Sequence, residues 1–130
     1  MRGMAKRNEL VELRHLTSRE KAALSEFVSR LREKYADEVV LVVLFGSKVR
    51  GDFDEESDLD VLVVVESDGW RFHREISFIG SRASLEYDVN ISPKALTQAH
   101  YRNLQELRTP FFESMQAEGV ELWRRQGSEL

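Results

Sequence analysis

Two runs of apolar, largely β-branched residues, Val39-Val40-Leu41-Val42-Val43-Leu44-Phe45 and Val61-Leu62-Val63-Val64-Val65, constrain this chain more than anything else in it. Neither run alternates with polar residues, so each reads as a strand buried on both faces. A sheet with such strands at its centre needs helices to cover it, which places the chain in the α/β (α+β) class. Thirteen residues separate Phe45 from Leu59, room for one short helix from Ser47 and a turn around Gly51, Asp52 and Asp54. If the end of the first run and the start of the second serve one site, the two strands run antiparallel.

The residues at that junction carry chemistry. Gly46 lacks a Cβ, so it can turn sharply and admit a ligand to the backbone, while Ser47 offers a hydroxyl and an N–H to an anion. Asp58 and Asp60 are two apart at the head of the second run and project from one face. Two carboxylates so placed repel each other, and a hard divalent cation such as Mg2+, held by carboxylates together with substrate phosphates, relieves the repulsion.

Gly46-Ser47, Arg50-Gly51 and Ser57-Asp58-Leu59-Asp60 together resemble the active-site motif of the DNA-polymerase-beta-like nucleotidyltransferase superfamily, in its small single-domain form, the minimal nucleotidyltransferase. A lone Gly-Ser or Asp-x-Asp means little; both at this separation, each attached to an apolar strand, are specific. Val49 departs slightly from the small residue often found there in that family. The match is densest from about residue 39 to 91 and extends over 17 to 123. The resemblance implies a small mixed sheet of three to four strands flanked by helices. It implies Mg2+, as two ions, with ATP as substrate, and a third carboxylate on the strand that follows Asp-x-Asp.

Read along the chain, residues 1–16 form a basic arm without clear period, 17–123 the domain, and 124–130 a frayed tail. Thr17 with Glu20 makes a capping box ahead of Ala23, Leu24, Phe27, Val28, Leu31 and Tyr35, an amphipathic helix to about Ala36. Trp70 to Arg82 reads as a helix with Trp70, Phe72, Ile76 and Ile79 available to the core. Leu85 to Ile91 alternates and reads as a third strand, with Glu86, Asp88 and Asn90 on its outer face. Ser92-Pro93 then signals a helix carrying Leu96, Ala99, Leu104 and Leu107, and Thr109-Pro110 a last one bearing Phe111, Phe112 and Met115. Val120 to Trp123 follows as a short edge strand.

On this reading Asp58 and Asp60 bind both metals. Asp88 holds the catalytic metal and helps deprotonate the acceptor hydroxyl, with Glu86 as the fallback. Gly46 and Ser47 hold the β and γ phosphates, and Lys48 or Arg50 supplies a cation, although Arg50 reads equally well as a loop partner of Asp52 or Asp54. His15, His73 and His100 lack ligand spacing to one another, and the chain has no cysteine, so zinc is not expected.

Composition narrows the function. The 130 residues are expected to make one domain, too short to include the second domain that template-reading relatives need. Residues 51–130 hold eight Lys or Arg against sixteen Asp or Glu, and Asp52 to Asp68 has eight carboxylates and no base. Such a stretch repels a nucleic-acid backbone. No apolar stretch is long enough to span a bilayer and no signal peptide is evident, so a soluble cytoplasmic protein is expected. The resemblance further implies transfer of AMP to a hydroxyl, in the group encoded beside HEPN-domain proteins a tyrosine of that partner toxin, making this chain the antitoxin. The alternatives are a non-catalytic antitoxin that neutralises its partner by contact, and a small-molecule (antibiotic) nucleotidyltransferase. Homo-oligomerisation through the edge strand or the aromatic C-terminal segment stays open.

Overall fold

The computed structural model describes residues 6–7, 15–51, 58–67, 69–128 and 130. In chain order the elements are β1 (Lys6–Arg7), α1 (Ser18–Tyr35), β2 (Val39–Phe45), α2 (Ser47–Arg50), β3 (Leu59–Val65), α3 (Gly69–Tyr87), β4 (Ile91–Thr97), α4 (Gln98–Leu107), α5 (Pro110–Glu118) and β5 (Val120–Arg124). The strands form one mixed sheet in the order β1-β5-β2-β3-β4. β2 runs antiparallel to β3 and β5, whereas β4 lies parallel to β3 and β1 parallel to β5.

The two apolar runs are the centre of this sheet. Val39 to Leu44 and Val61 to Val65 are all buried, because alternate residues meet a helical layer on each side. Leu59, Val61 and Val63 pack with Phe27 and Leu31 of α1 and with Ile76, Ile79 and Ala83 of α3. Leu62 and Val64 pack on the opposite face with Tyr101 of α4 and with Phe112 and Met115 of α5. At about 1.5–3 kcal/mol for each fully buried aliphatic side chain, this two-sided burial is the main force behind the fold. Helix starts follow local chemistry: the Thr17–Glu20 capping box forms at α1, and Thr109 caps α5 ahead of Pro110.

The third strand is where expectation and structure part. Residues 85–87 continue α3 rather than open a strand: Leu85 is 82% exposed, while Ile76, Ile79, Ala83 and Tyr87 keep a helical three-and-four phase against the core. The chain turns at Asp88, whose φ of 55° is left-handed, and β4 begins only at Ile91. Ser84 secures the turn, its hydroxyl accepting from the Ile91 N–H at 3.0 Å and donating to the Gly80 carbonyl at 2.7 Å. Ser92-Pro93 therefore starts no helix; the cap of α4 is Thr97, whose hydroxyl accepts from the His100 N–H. Proline is tolerated in β4 because that strand is the outermost at its end of the sheet.

Two further readings change. β5 is not the outermost strand, since β1 pairs alongside it over Lys6 and Arg7. The tail is tied down rather than frayed: Arg125 donates to the Asp37 carbonyl and pairs with Glu66, Arg124 donates to the Leu130 carbonyl, and Leu130 is buried in the α4/α5 core. The side chain of Trp70, the loop residues Asp52 to Ser57 and most of the basic arm lie outside the described residues.

Candidate active site

Pairing of β2 with β3 sets Phe45 opposite Asp60. Leu59 and Val61 point toward α1 and α3, so Asp60 between them points to the α4/α5 face, and Asp58, exposed, immediately precedes the strand. Gly46 follows Phe45 with φ +93°, and a Cβ there would lie 2.4 Å from Asp60 Oδ2. The glycine is favoured by its backbone conformation, and any side chain there would have to displace the Asp60 carboxylate oxygen. Immediately beyond, the Val49 N–H donates to the Gly46 carbonyl at 3.1 Å and α2 opens at Ser47. The Gly-Ser turn and the acid pair are one corner of the molecule, as the antiparallel arrangement demands.

The first turn of α1 braces this corner. Lys48, expected as a cation for phosphate, is instead 4% exposed and pairs with Glu20 Oε2 at 2.8 Å. The other oxygen of Glu20 accepts from the Thr17 N–H at 2.9 Å, so one carboxylate caps α1 and anchors α2. The His15 ring lies against Gly51 on the far side of α2, its Nε2 2.7 Å from where a Cβ of Gly51 would be. The capping box was legible as a helix start; its second task is a contact between residues 28 apart, for which the sequence carries no local signal.

Asp88 is placed differently from expectation. It sits in the turn before β4, with its side chain 94% exposed and 3.4 Å from Arg19 Nη1. Glu86 belongs to α3 and pairs with Arg30 at 2.7 Å, so the structure does not bring it to the acid pair. Parallel register puts Ser92 opposite Asp60 and Lys94 opposite Leu62, and Asn90 accepts from the Leu59 N–H at 2.7 Å. Ser92 in β4 and Asn90 just before the strand therefore flank this stretch of β3, and neither is a carboxylate. His73 and His100 are exposed and Tyr101 is fully buried; burial pushes its phenol well above the usual range.

Among the described residues no three His, Cys, Asp or Glu side chains stand close enough together to hold a metal. Asp58 and Asp60, beside a backbone turn that disfavours a Cβ, nonetheless fit Mg2+ well. That ion takes one or two carboxylates and completes its shell with waters and substrate phosphates. The donor set is all oxygen, which does not suit zinc.

The sequence matches the family model of the nucleotidyltransferase domain over residues 24–110. It is 37% identical over 100 residues, 76% of this chain and 94% of the relative, to the Methanocaldococcus jannaschii protein named "Putative protein adenylyltransferase MJ0141". A second protein of that organism, named in the same way as MJ0604, is 47% identical over 49 residues, 38% of this chain and 49% of its own length. Among solved structures, one described as "Crystal structure of the toxin-antitoxin with AMP-PNP" superposes with a TM-score of 0.51 at 19% identity, over 77% of this chain and 73% of that one, a likeness of fold. With the match spanning α1 to the start of α5 and enclosing the corner where Gly46 meets Asp60, the chain belongs to the nucleotidyltransferase-domain family.

Proposed function

We propose that this nucleotidyltransferase moves AMP from ATP to a protein hydroxyl in a Mg2+-dependent reaction, and that the acceptor is a tyrosine of a HEPN-domain toxin for which this chain is the antitoxin. The contact between the Gly46 backbone and the Asp60 carboxylate carries the catalytic half of this reading. The names of the M. jannaschii relatives support adenylylation of a protein, and the description of the structural neighbour supports an adenine nucleotide and a toxin partner.

In the proposed reaction the acceptor oxygen attacks the α-phosphorus in line, a new P–O bond forms, and the bond to the β-phosphate oxygen breaks to release pyrophosphate. Bound Mg2+, as a pair of ions, would neutralise the phosphates and make the acceptor hydroxyl more acidic. Asp58 and Asp60 would hold both ions, the Gly46 backbone and Ser47 the β and γ phosphates, and Arg50 would stand near the same phosphates. Lys48 would act through Glu20, fixing α2 so that Ser47 meets its phosphate. Asp88 would be the third acid, taking the acceptor proton after exchanging its exposed contact with Arg19 for the acceptor side of the site.

The test is a transfer assay with each α-labelled NTP and Mg2+, with the partner present and with an Asp58→Ala/Asp60→Ala control. Label on the partner only with intact aspartates is the expected result, with ATP as donor. One observation favours a second reading, a non-catalytic antitoxin that works by contact: Asp88 stands outside the acid pair and is engaged by Arg19. Absence of label, with partner inhibition unchanged in the double variant, would establish that reading instead.

A further inference from the structure

We infer that Lys94 contacts the phosphates of the nucleotide, a role that deepens the nucleotidyltransferase reading and rests on it. Along β4, Pro93 packs on Gly80 of α3, its Cγ 3.0 Å from where a Cβ would stand, and Ala95 lies in the α1/α3 core. Ser92, Lys94 and Leu96 therefore point to the opposite face, the one that carries Asp60, Leu62 and Val64. Leu62 and Val64 are buried there beneath α4 and α5, and Leu96 packs against the same cluster. Lys94, beside Leu62 in register, is exposed. Among the described residues Asp60 and Ser92 are half-buried and Lys94 is exposed, so Asp60, Ser92 and Lys94 follow one another along a single face of the sheet.

Lys94 is one pleat from Asp60, about 8 Å between Cα positions for two steps along a strand and one strand spacing across. The stem of a lysine brings its ammonium back over the intervening space. A triphosphate approaching two carboxylates needs positive charge beyond what the ions supply. Lys48 is committed to Glu20, the sequence from Asp52 to Asp68 contains no Lys or Arg, and Arg50, given to the phosphates above, would supply a single charge. A lysine on an outer strand also discourages strand-to-strand aggregation. That role alone would leave nucleotide affinity untouched by its removal.

The experiment is a calorimetric titration of the full chain with Mg2+ and α,β-methylene ATP, and separately with adenosine. Lys94→Ala is expected to weaken the triphosphate about tenfold or more, the loss of a charge-assisted contact, with Lys94→Arg within threefold of the parent. Adenosine binding and the melting temperature should not move, because the side chain is exposed and meets only phosphate. Equal triphosphate affinity in the parent and Lys94→Ala would overturn the role of Lys94 and leave the nucleotidyltransferase reading standing. A parent chain that binds neither ligand would overturn both, and a loss seen equally with adenosine would assign Lys94 to packing rather than phosphate.

Discussion

The β2–α2–β3 corner and the start of β4 lie side by side at one end of the sheet, yet they are built to opposite standards. At the corner two described features are constrained: Gly46 is held against Asp60, and Lys48 is locked to a glutamate that also caps α1. At the start of β4 the acid is in a solvent-facing turn, with a long contact to an arginine that is itself 60% exposed. Preorganised charge costs no rearrangement when a ligand arrives, whereas an exposed carboxylate must be gathered in. On the proposed reading the corner would hold ions and phosphates in place, and the turn would supply a group that moves during the cycle.

That contrast fixes an order of effects. Asp60→Ala should lower transfer about a thousandfold or more, with unchanged circular dichroism. Asp88→Ala should cost about a hundredfold, the range for a general base rather than for an ion's main ligand. Equal losses from the two, measured as kcat/KM on the labelled partner, would erase the distinction between the regions. Lys48→Met should be the most destabilising of the corner substitutions, by about 3–5 kcal/mol in denaturant unfolding, because it strands the Glu20 charge in a buried site. Lys48→Met with Glu20→Gln keeps an oxygen for the Thr17 N–H and should recover most of that stability without recovering the KM for ATP.

Gly46→Ala should come next. A left-handed φ and a Cβ meeting a carboxylate oxygen together cost about 1–3 kcal/mol, and displacement of Asp60 should reduce transfer about a hundredfold. A variant with parental activity and melting temperature would show that the turn tolerates a side chain, and would remove the observation on which the catalytic reading stands.

The corner was also the part of the molecule most open to reading from sequence, and the reason is physical. Two-sided burial writes an unbroken apolar run, and the Gly-Ser and Asp-x-Asp elements lie within a few residues of the strands that position them. The start of β4 was opaque because its signals compete. Leu85, Tyr87, Val89 and Ile91 alternate as a strand would, but the helical phase of Ile76, Ile79 and Ala83 runs on to Tyr87, and seven residues are too few to decide between the periods. Ser92-Pro93 has the chemistry of a helix start, and only the outer position of β4 in the sheet makes proline acceptable there. The ion pair of Glu20 with Lys48 and the shared face of Asp60 and Lys94 depend on packing and register, which no local pattern records.

The smallest effect separates stability from function at a single residue. Asp88 adopts a left-handed conformation that glycine accepts without a steric penalty, and its contact with Arg19 is too exposed and too long to repay the difference. Asp88→Gly should therefore stabilise the fold by up to about 1 kcal/mol, raising the melting temperature by about 3 °C, while transfer falls as it does in Asp88→Ala. Opposite signs for the two readouts would mean that the turn keeps a carboxylate at the expense of stability, as a working group does. Stabilisation with full transfer would make Asp88 a turn residue alone and leave the acid pair to do the chemistry without a third carboxylate from this turn.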